Sequence, residues 1–162
     1  MYKKEIERKF LVNKSNMPSL SKYPKLDIKQ GYLSQQHDSL TVRVRSTFDV
    51  RFDSEPTFEL ELKDDGELIR NEIGYVITKE EFETSFELCG TKTISKIRYL
   101  VPSDKNDGKI LEVDVYEDFD FVTCEYEGES EVEVKSFISE DWFLKEVTYD
   151  NNYTNASLAN NK

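Results

Sequence analysis

Alternation of apolar and charged residues is the strongest constraint on what this 162-residue chain can fold into. Successive side chains of a β-strand point to opposite faces, so a period of two indicates strands that lie between two different environments. The pattern recurs over residues 5–10, 40–45, 58–63, 94–99, 111–116 and 123–127. Weaker strand signals lie over residues 29–34, 70–77 and around 48–52. We therefore expect a mainly β protein.

Helix signals are few. Thr78 and Glu81 have the spacing of a capping box, Phe82 and Phe86 follow four residues apart, and Gly90 stands where a helix commonly ends. These signals predict one amphipathic helix over residues 78–89. A second capping box over residues 130–133 begins a segment that also alternates, so helix and strand both remain open there.

The second face of the predicted strands is almost wholly ionic. It collects Glu5, Glu7, Lys9, Arg43, Arg45, Glu59, Glu61, Lys63, Lys96, Arg98, Glu112, Asp114, Glu125 and Glu127. Two architectures fit this pattern: an open sheet with a charged outer face, or a closed barrel with a charged lumen. Composition alone favours the open sheet, whereas a barrel removes the exposed edges and, with about eight strands, can hold one small ligand.

A charged lumen would have a definite chemistry. Carboxylates two residues apart on a strand, such as Glu5 with Glu7 and Glu125 with Glu127, point the same way and can hold hard cations through oxygen. Clustered arginine and lysine side chains bind phosphate oxygens. Magnesium prefers one or two carboxylates together with substrate phosphates. The two sets together suit a polyphosphate with a divalent metal.

Composition excludes several other classes of protein. The formal net charge of −11 argues against general nucleic-acid binding, which needs a basic surface. The absence of a long apolar run argues against a membrane span, and residues 1–10 lack the apolar stretch of a signal peptide, so we expect a cytoplasmic protein. Cys89 and Cys124 are expected to be reduced thiols. His37 is the only histidine, which excludes a histidine-rich zinc site, and we expect it in a solvated loop.

The N-terminal segment Glu5-Ile6-Glu7-Arg8-Lys9 matches the ExExK signature of the CYTH superfamily, the triphosphate tunnel metalloenzymes. Further segments follow in the family's order: Gln30-Gly31-Tyr32-Leu33, Arg43-Val44-Arg45, Lys63, Arg70-Asn71-Glu72, Lys96-Ile97-Arg98, Glu112-Val113-Asp114, Glu125-Tyr126-Glu127, Trp142, and Glu146-Val147-Thr148-Tyr149-Asp150 with Tyr153 and Asn155. The chain thus resembles this family over nearly its whole length, and its small single-domain bacterial branch in particular.

The resemblance implies a closed eight-stranded antiparallel barrel that forms a charged tunnel, with helices packed outside. It assigns residues 1–158 to one domain and 159–162 to a tail. It implies triphosphate binding by Lys9, Arg43, Arg45, Lys63, Lys96 and Arg98. It implies that Mg²⁺ or Mn²⁺ is held by Glu5, Glu7 and Glu127, with Glu125, Asp114, Glu112 and Glu72 as further ligands or supporting groups. Among these residues, Lys9, Glu125 and Asp114 would be catalytic.

The activity that the resemblance implies is metal-dependent hydrolysis of the terminal phosphoanhydride of inorganic triphosphate, with nucleoside triphosphates as a wider substrate range. Other activities of this fold remain open: a class IV adenylyl cyclase, a thiamine triphosphatase, or a non-catalytic module that binds polyphosphate or nucleotide. The expected partner is a small-molecule triphosphate, with neither nucleic acid nor membrane. Both a monomer and a homodimer fit.

Three positions depart from the family's pattern. Gly74 stands where the family's Arg-x-Glu-x-Glu segment has its second glutamate, so one inward carboxylate is missing. Glu61 stands where a small polar residue is common, which suggests that it restores a negative charge to the lumen. Asn152 replaces a basic residue near the C-terminus.

Overall fold

The computed structural model describes residues 1–35 and 38–162, so the predicted loop position of His37 lies outside the described residues. The strands of this part of the chain are β1 (Tyr2–Val12), β2 (Lys25–Tyr32), β3 (Leu40–Asp49), β4 (Thr57–Asp64), β5 (Ile69–Val76), β6 (Thr93–Pro102), β7 (Ile110–Tyr116), β8 (Val122–Gly128) and β9 (Phe143–Glu146). The helices are α1 (Lys79–Leu88), α2 (Glu131–Lys135) and α3 (Asn155–Asn160), with 3-10 turns at Leu20–Lys22 and Asn151–Tyr153.

Eight strands close into an antiparallel barrel in the order β5-β4-β3-β2-β6-β7-β8-β1. Closure comes from β1, whose first half pairs with β5 while its second half pairs with β8. The short strand β9 adds to the end of β1 beyond β5, next to an irregularity between Leu11 and Val12. The closed barrel that the resemblance implies is confirmed, and the open sheet that composition favoured is wrong.

The apolar core lies mainly outside the barrel wall because charged side chains of β1 and of β3 to β8 face the lumen. One cluster packs Phe10, Val113 and Tyr126 of the wall against Phe137 and Trp142 of the segment that follows β8. A second cluster lies beneath α1, and Cys89 belongs to it. Cys89 and Cys124 are both buried free thiols, as predicted. Within the described part of the chain, no helix is long and apolar enough to cross a membrane.

Helix α3 packs across one end of the barrel. Leu158 and Ala159 are buried against Tyr32, Ile94 and Tyr116, whose strands contribute charged neighbours to the lumen. The residues assigned to a tail therefore begin inside this helix, which runs to Asn160. The first residues of α3, Asn155 and Ala156, line the tunnel.

The helix predicted over residues 78–89 is confirmed as α1. The Thr78 hydroxyl accepts a hydrogen bond from the Glu81 amide at 3.1 Å, and the Glu81 carboxylate accepts one from the Thr78 amide at 2.7 Å. Gly90 follows the helix with a φ of 62°, a conformation that glycine adopts without strain. The segment after Ser130, where helix and strand were both open, is the helix α2.

The strand predicted around residues 48–52 is wrong. Strand β3 ends at Asp49, and the chain turns there. The Asp49 carboxylate accepts hydrogen bonds from the amide and the guanidinium of Arg51 at 3.0 to 3.1 Å. A side chain that bonds the backbone two residues on favours a turn over a strand, which the alternation of Phe48, Val50 and Phe52 does not reveal.

Candidate active site

The barrel encloses a tunnel of about 460 Å³. Among the residues that the structure describes, ten carboxylates and seven lysine or arginine side chains line it. Apart from Glu67 and Asp150, which lie outside the strands, they come from β1, β3, β4, β5, β6, β7 and β8, whose alternating positions face inward. Such a lining is costly to bury unless its charges are paired or meet a charged ligand. The interior is therefore a charged cavity rather than a packed core.

Three glutamates form an acidic cluster at one wall. Glu5 and Glu7 lie two residues apart on β1, and Glu127 of β8 pairs directly with Glu7 across the strands. One carboxylate oxygen from each lies within 4.8 Å of the other two, which is close enough to share a metal ion. Burial and the neighbouring Glu125 and Glu5 raise the pKa of Glu7 to about 8. Carboxylate oxygens are the ligand type that magnesium and manganese prefer, so these residues, from the buried Glu5 to the exposed Glu127, fit the predicted metal.

Three cations contact the acidic cluster, and the first is Lys3, whose Nζ lies 3.1 Å from Glu127 Oε1. Lys63 Nζ lies 2.6 Å from Glu5 Oε2 and 3.0 Å from Glu72 Oε2. Arg70 Nη2 lies 2.7 Å from Glu5 Oε1 and 3.1 Å from Glu7 Oε1. Although burial alone would raise the pKa of Glu5, Lys63 and Arg70 hold it well below its ordinary value. Glu72 therefore faces Lys63 beside the cluster.

Arg70, like Lys3, is a site residue to which the sequence assigned no role. Arg70 is the first residue of the CYTH-like segment Arg70-Asn71-Glu72. Its position beside the acidic cluster, however, depends on the pairing of β1 with β5. That pairing places Arg70 directly opposite Glu5. Alternation within one strand cannot reveal which strands meet when a barrel closes. The sequence signal for Arg70 was its place in the CYTH-like segment Arg70-Asn71-Glu72.

A second group of charges surrounds Arg98. Its guanidinium donates to Asp114 at 2.7 and 2.8 Å and to Glu125 at 3.1 Å, and it also contacts Glu112. Lys9 Nζ lies 3.4 Å from Glu125 Oε1. Burial opposes the charge of Asp114 and Glu125, but Arg98 and its cationic neighbours lower the pKa of both. These three carboxylates therefore serve as partners of Arg98 in the structure.

Lys96 and Asp114 form an ion pair at 2.6 Å whose side chains have no exposed surface. Burial lowers the pKa of Lys96 to about 8, with Asp114 opposing that shift. Neither residue lines the tunnel, although the resemblance implies that Lys96 binds phosphate and that Asp114 is catalytic. Asp114 accepts two hydrogen bonds from Arg98, which does line the tunnel, and Lys96 is linked to Arg98 through Asp114.

Arg43 and Arg45 of β3 face Glu61 of β4. Arg43 Nε and Nη2 lie 2.6 and 2.5 Å from Glu61 Oε2, and Arg45 Nη1 lies 3.8 Å from Glu61 Oε1. The Nε atoms of Arg45 and Arg70 are buried without a hydrogen-bond partner. Because buried donors are almost always paired, two unpaired guanidinium donors in one cavity point to an anionic ligand.

The CYTH domain family matches residues 3–153 of the sequence. The chain belongs to this family. A comparison with curated proteins finds no significant sequence match. Among solved structures, this CYTH domain is similar to the inorganic triphosphatase NE1496, with 30% identity, a TM-score of 0.68, and coverage of 96% of this chain and 94% of that one.

Two more distant structures share the fold of this CYTH domain. PH1819 from Pyrococcus horikoshii OT3 has 17% identity and a TM-score of 0.56, with coverage of 81% of this chain and 82% of that one. A putative adenylate cyclase from Bacillus halodurans has 19% identity and a TM-score of 0.55, with coverage of 83% and 85%. At these identities the likeness extends to the fold alone.

The departures from the CYTH pattern take distinct positions. Gly74 pairs directly with Glu61 across β4 and β5, and a Cβ atom at Gly74 would have nothing within 4 Å. Glu61 thus places a carboxylate next to the position at which Gly74 lacks one. Asn152 lies exposed in a 3-10 turn, where its side-chain amide donates to Asp150 at 3.0 Å, and it does not line the tunnel.

Proposed function

We propose that this protein hydrolyses the terminal phosphoanhydride of inorganic triphosphate and depends on Mg²⁺ or Mn²⁺. The observation that carries the proposal is one cavity that combines an acidic cluster with two arginines whose buried Nε donors lack partners. The inorganic triphosphatase NE1496, whose structure is known, is 30% identical to this chain, and the match covers 94% of that protein's chain. The substrate class is therefore a small polyphosphate.

Glu5, Glu7 and Glu127 would hold the metal, because their oxygens are the described carboxylates that gather closely enough for one ion. A bound divalent ion supplies positive charge that offsets the charge on the phosphoryl group being transferred. Glu72 would support this site by holding Lys63 beside Glu5.

The cations of the tunnel wall would bind and orient the triphosphate. Arg43, Arg45 and Lys63 reach it from β3 and β4, whereas Lys9 and Arg98 reach it from β1 and β6. Positioning and charge stabilisation account for most of phosphoryl-transfer catalysis, so such a clamp is itself the catalytic machinery. Lys96 would act through Asp114. It helps to keep the Asp114 carboxylate ionised, and that carboxylate in turn holds Arg98.

Glu125 would orient the attacking water. Burial disfavours its charge, but Arg98 and Lys9 lower its pKa, so its carboxylate stays ionised and accepts hydrogen bonds at neutral pH. A water held in this way would attack the terminal phosphorus in line with the departing pyrophosphate oxygen. The step needs no covalent intermediate on the protein.

The decisive experiment measures orthophosphate release from triphosphate, ATP and thiamine triphosphate in parallel, with Mg²⁺ or Mn²⁺. We expect triphosphate to be the preferred substrate and Glu7→Gln to lower its turnover by about a hundredfold or more. Glu129→Gln, which removes an exposed carboxylate just after β8, is the matched control and should retain activity.

Full activity of Glu7→Gln would refute this assignment. If the protein converted ATP into cyclic AMP and pyrophosphate, it would be a cyclase and not a triphosphatase. Tight triphosphate binding without turnover across several metals would replace it with a binding module.

A further inference from the structure

We propose that Glu61 is an internal competitor of the substrate, a carboxylate that takes the place of a phosphate group on Arg43 and Arg45. This inference rests on the proposed function, since it concerns how the same tunnel accepts triphosphate and releases its products. A ligand phosphate must displace Glu61 before it can bind both arginines. Glu61 thereby weakens polyphosphate binding and favours product release.

The geometry of the ion pair supports competition rather than mere proximity. Two guanidinium nitrogens of Arg43, Nε and Nη2, both point at one oxygen of Glu61, at 2.6 and 2.5 Å. The planar guanidinium fork binds carboxylate and phosphate with the same donors, so these donors cannot serve both at once. The second oxygen of Glu61 faces Arg45 at 3.8 Å.

Burial makes Glu61 a persistent competitor. The side chains of Arg43 and Glu61 are each only 6% exposed, so solvent screens their attraction weakly. Burial disfavours the Glu61 charge, but Arg43 and Arg45 lower its pKa to about 2. Protonation therefore does not remove the competitor near neutral pH, and displacement is the remaining route.

The barrel also provides room for the displaced side chain. Glu61 pairs with Gly74 on the neighbouring strand β5, and the space where a Cβ of residue 74 would lie is open to 4 Å. Any larger residue at position 74 would fill this space. The two departures from the family pattern, Glu61 and Gly74, thus combine as a movable carboxylate and the space into which it moves.

Glu59 provides a matched comparison. It lies on the same strand and the same inward face, two residues from Glu61, and it pairs in register with Arg45. Within the described residues, no ion pair joins Glu59 to an arginine or lysine. Glu59→Gln therefore removes the same charge from the same tunnel without removing a competitor.

The test is isothermal titration calorimetry with inorganic triphosphate in metal-free buffer. We expect Glu61→Gln and Glu61→Thr to bind triphosphate about tenfold more tightly than the wild type, or about 1.4 kcal/mol. Glu59→Gln should change the affinity by less than about threefold, through long-range charge alone. Pyrophosphate should show the same order among the variants.

Three results would overturn the inference. If Glu59→Gln and Glu61→Gln gained equal affinity for triphosphate, the change in net charge alone would explain the effect. Weaker binding by Glu61→Gln would show that Glu61 positions Arg43 for the substrate. An Arg43 Nε–H signal that triphosphate leaves unmoved in the NMR spectrum of the wild type would show no exchange of partners, a readout that needs no variant to fold.

The phosphate-release assay keeps this inference separate from the proposed function. A wild type that binds triphosphate but releases no phosphate, with a gain specific to Glu61, would refute hydrolysis and leave the competitor. A wild type that hydrolyses triphosphate with no gain specific to Glu61 would refute the competitor and leave hydrolysis.

Discussion

Paired charges inside the barrel make single residues disproportionately important. Asp114 is fully buried and neutralises two cations, Lys96 at 2.6 Å and Arg98 at 2.7 Å. Removing one partner of a buried ion pair leaves an uncompensated charge, which typically costs about 3–5 kcal/mol. Asp114→Asn should therefore lower the free energy of unfolding by about that amount in urea titrations.

The control for this prediction is Asp120→Asn. Asp120 is fully exposed and pairs with Lys14 at 2.9 Å on the surface, where such pairs contribute about 0–1 kcal/mol. Similar losses in the two variants would contradict the view that burial decides how much each ion pair matters.

The pKa of Glu61 predicts how stability depends on pH. It falls from 4.5 to about 2 on folding, so the ionised group stabilises the native state above its unfolded pKa, and this contribution is lost as pH falls toward 2. The shift corresponds to about 3 kcal/mol at most. The wild type should exceed Glu61→Gln in unfolding free energy at pH 7, and the difference should shrink by pH 2 to 3. Parallel urea titrations across this range would measure it, and a constant difference would contradict the prediction.

Among the strands and helices, those that could be predicted are the ones whose sequence signals lie within a few neighbouring residues. The six strongly alternating segments all lie within strands, because period-two patterning persists over at least five residues in each. The capping box of α1 is equally local. Strand β9 spans four residues, Phe143–Glu146, which is too short for alternation to register. Its existence depends on the free edge that β1 offers beyond β5.

Helix α3 escaped prediction for a related reason. Its sequence, Asn155–Asn160, contains a single large apolar residue, Leu158, so no helical period is visible. The helix forms because Thr154 caps it, with its hydroxyl accepting from the Ser157 amide at 3.1 Å, and because the end of the barrel offers Leu158 an apolar surface. Tertiary packing here outweighs local propensity.

We therefore expect the position of α3 on the barrel to depend on Leu158. Leu158→Ala should lower the free energy of unfolding by about 2–4 kcal/mol, because it removes most of the side chain that holds the helix to the barrel end. Leu144→Ala, on the exposed side of β9 with 64% exposure, is the matched control and should cost less than about 1 kcal/mol. Equal effects would indicate that α3 is held chiefly by its polar contacts.

At the scale of the whole molecule, the acidic net charge of −11 extends into the tunnel. Alternation predicted most of the charged residues that line the tunnel, but it missed Lys3 and Arg70 and included Lys96 and Asp114, which do not line it. It also could not predict which carboxylate each cation contacts, since several of these pairs join strands that are distant along the chain. Lys63 of β4, for example, contacts Glu5 of β1. Only the closed barrel determines those pairs.

The balance of charge in the tunnel predicts that polyanion binding depends on divalent cations. Ten carboxylates face seven lysine and arginine side chains in the described lining, so triphosphate alone meets net repulsion. Ca²⁺ or Mn²⁺ at Glu5, Glu7 and Glu127 would offset two of the three excess negative charges. We expect either ion to tighten triphosphate binding by at least about a hundredfold over EDTA buffer, with calorimetry as the measurement.

The same coupling should appear without triphosphate, because a ligand that binds only the native state raises its stability. Mn²⁺ alone should raise the thermal unfolding temperature of the wild type. It should leave that of Glu7→Gln nearly unchanged, whereas Glu129→Gln should respond like the wild type. Stabilisation of all three proteins by Mn²⁺ would place the metal outside the acidic cluster. In that case the excess carboxylates of the tunnel would repel triphosphate and would not bind the cation that allows triphosphate to enter.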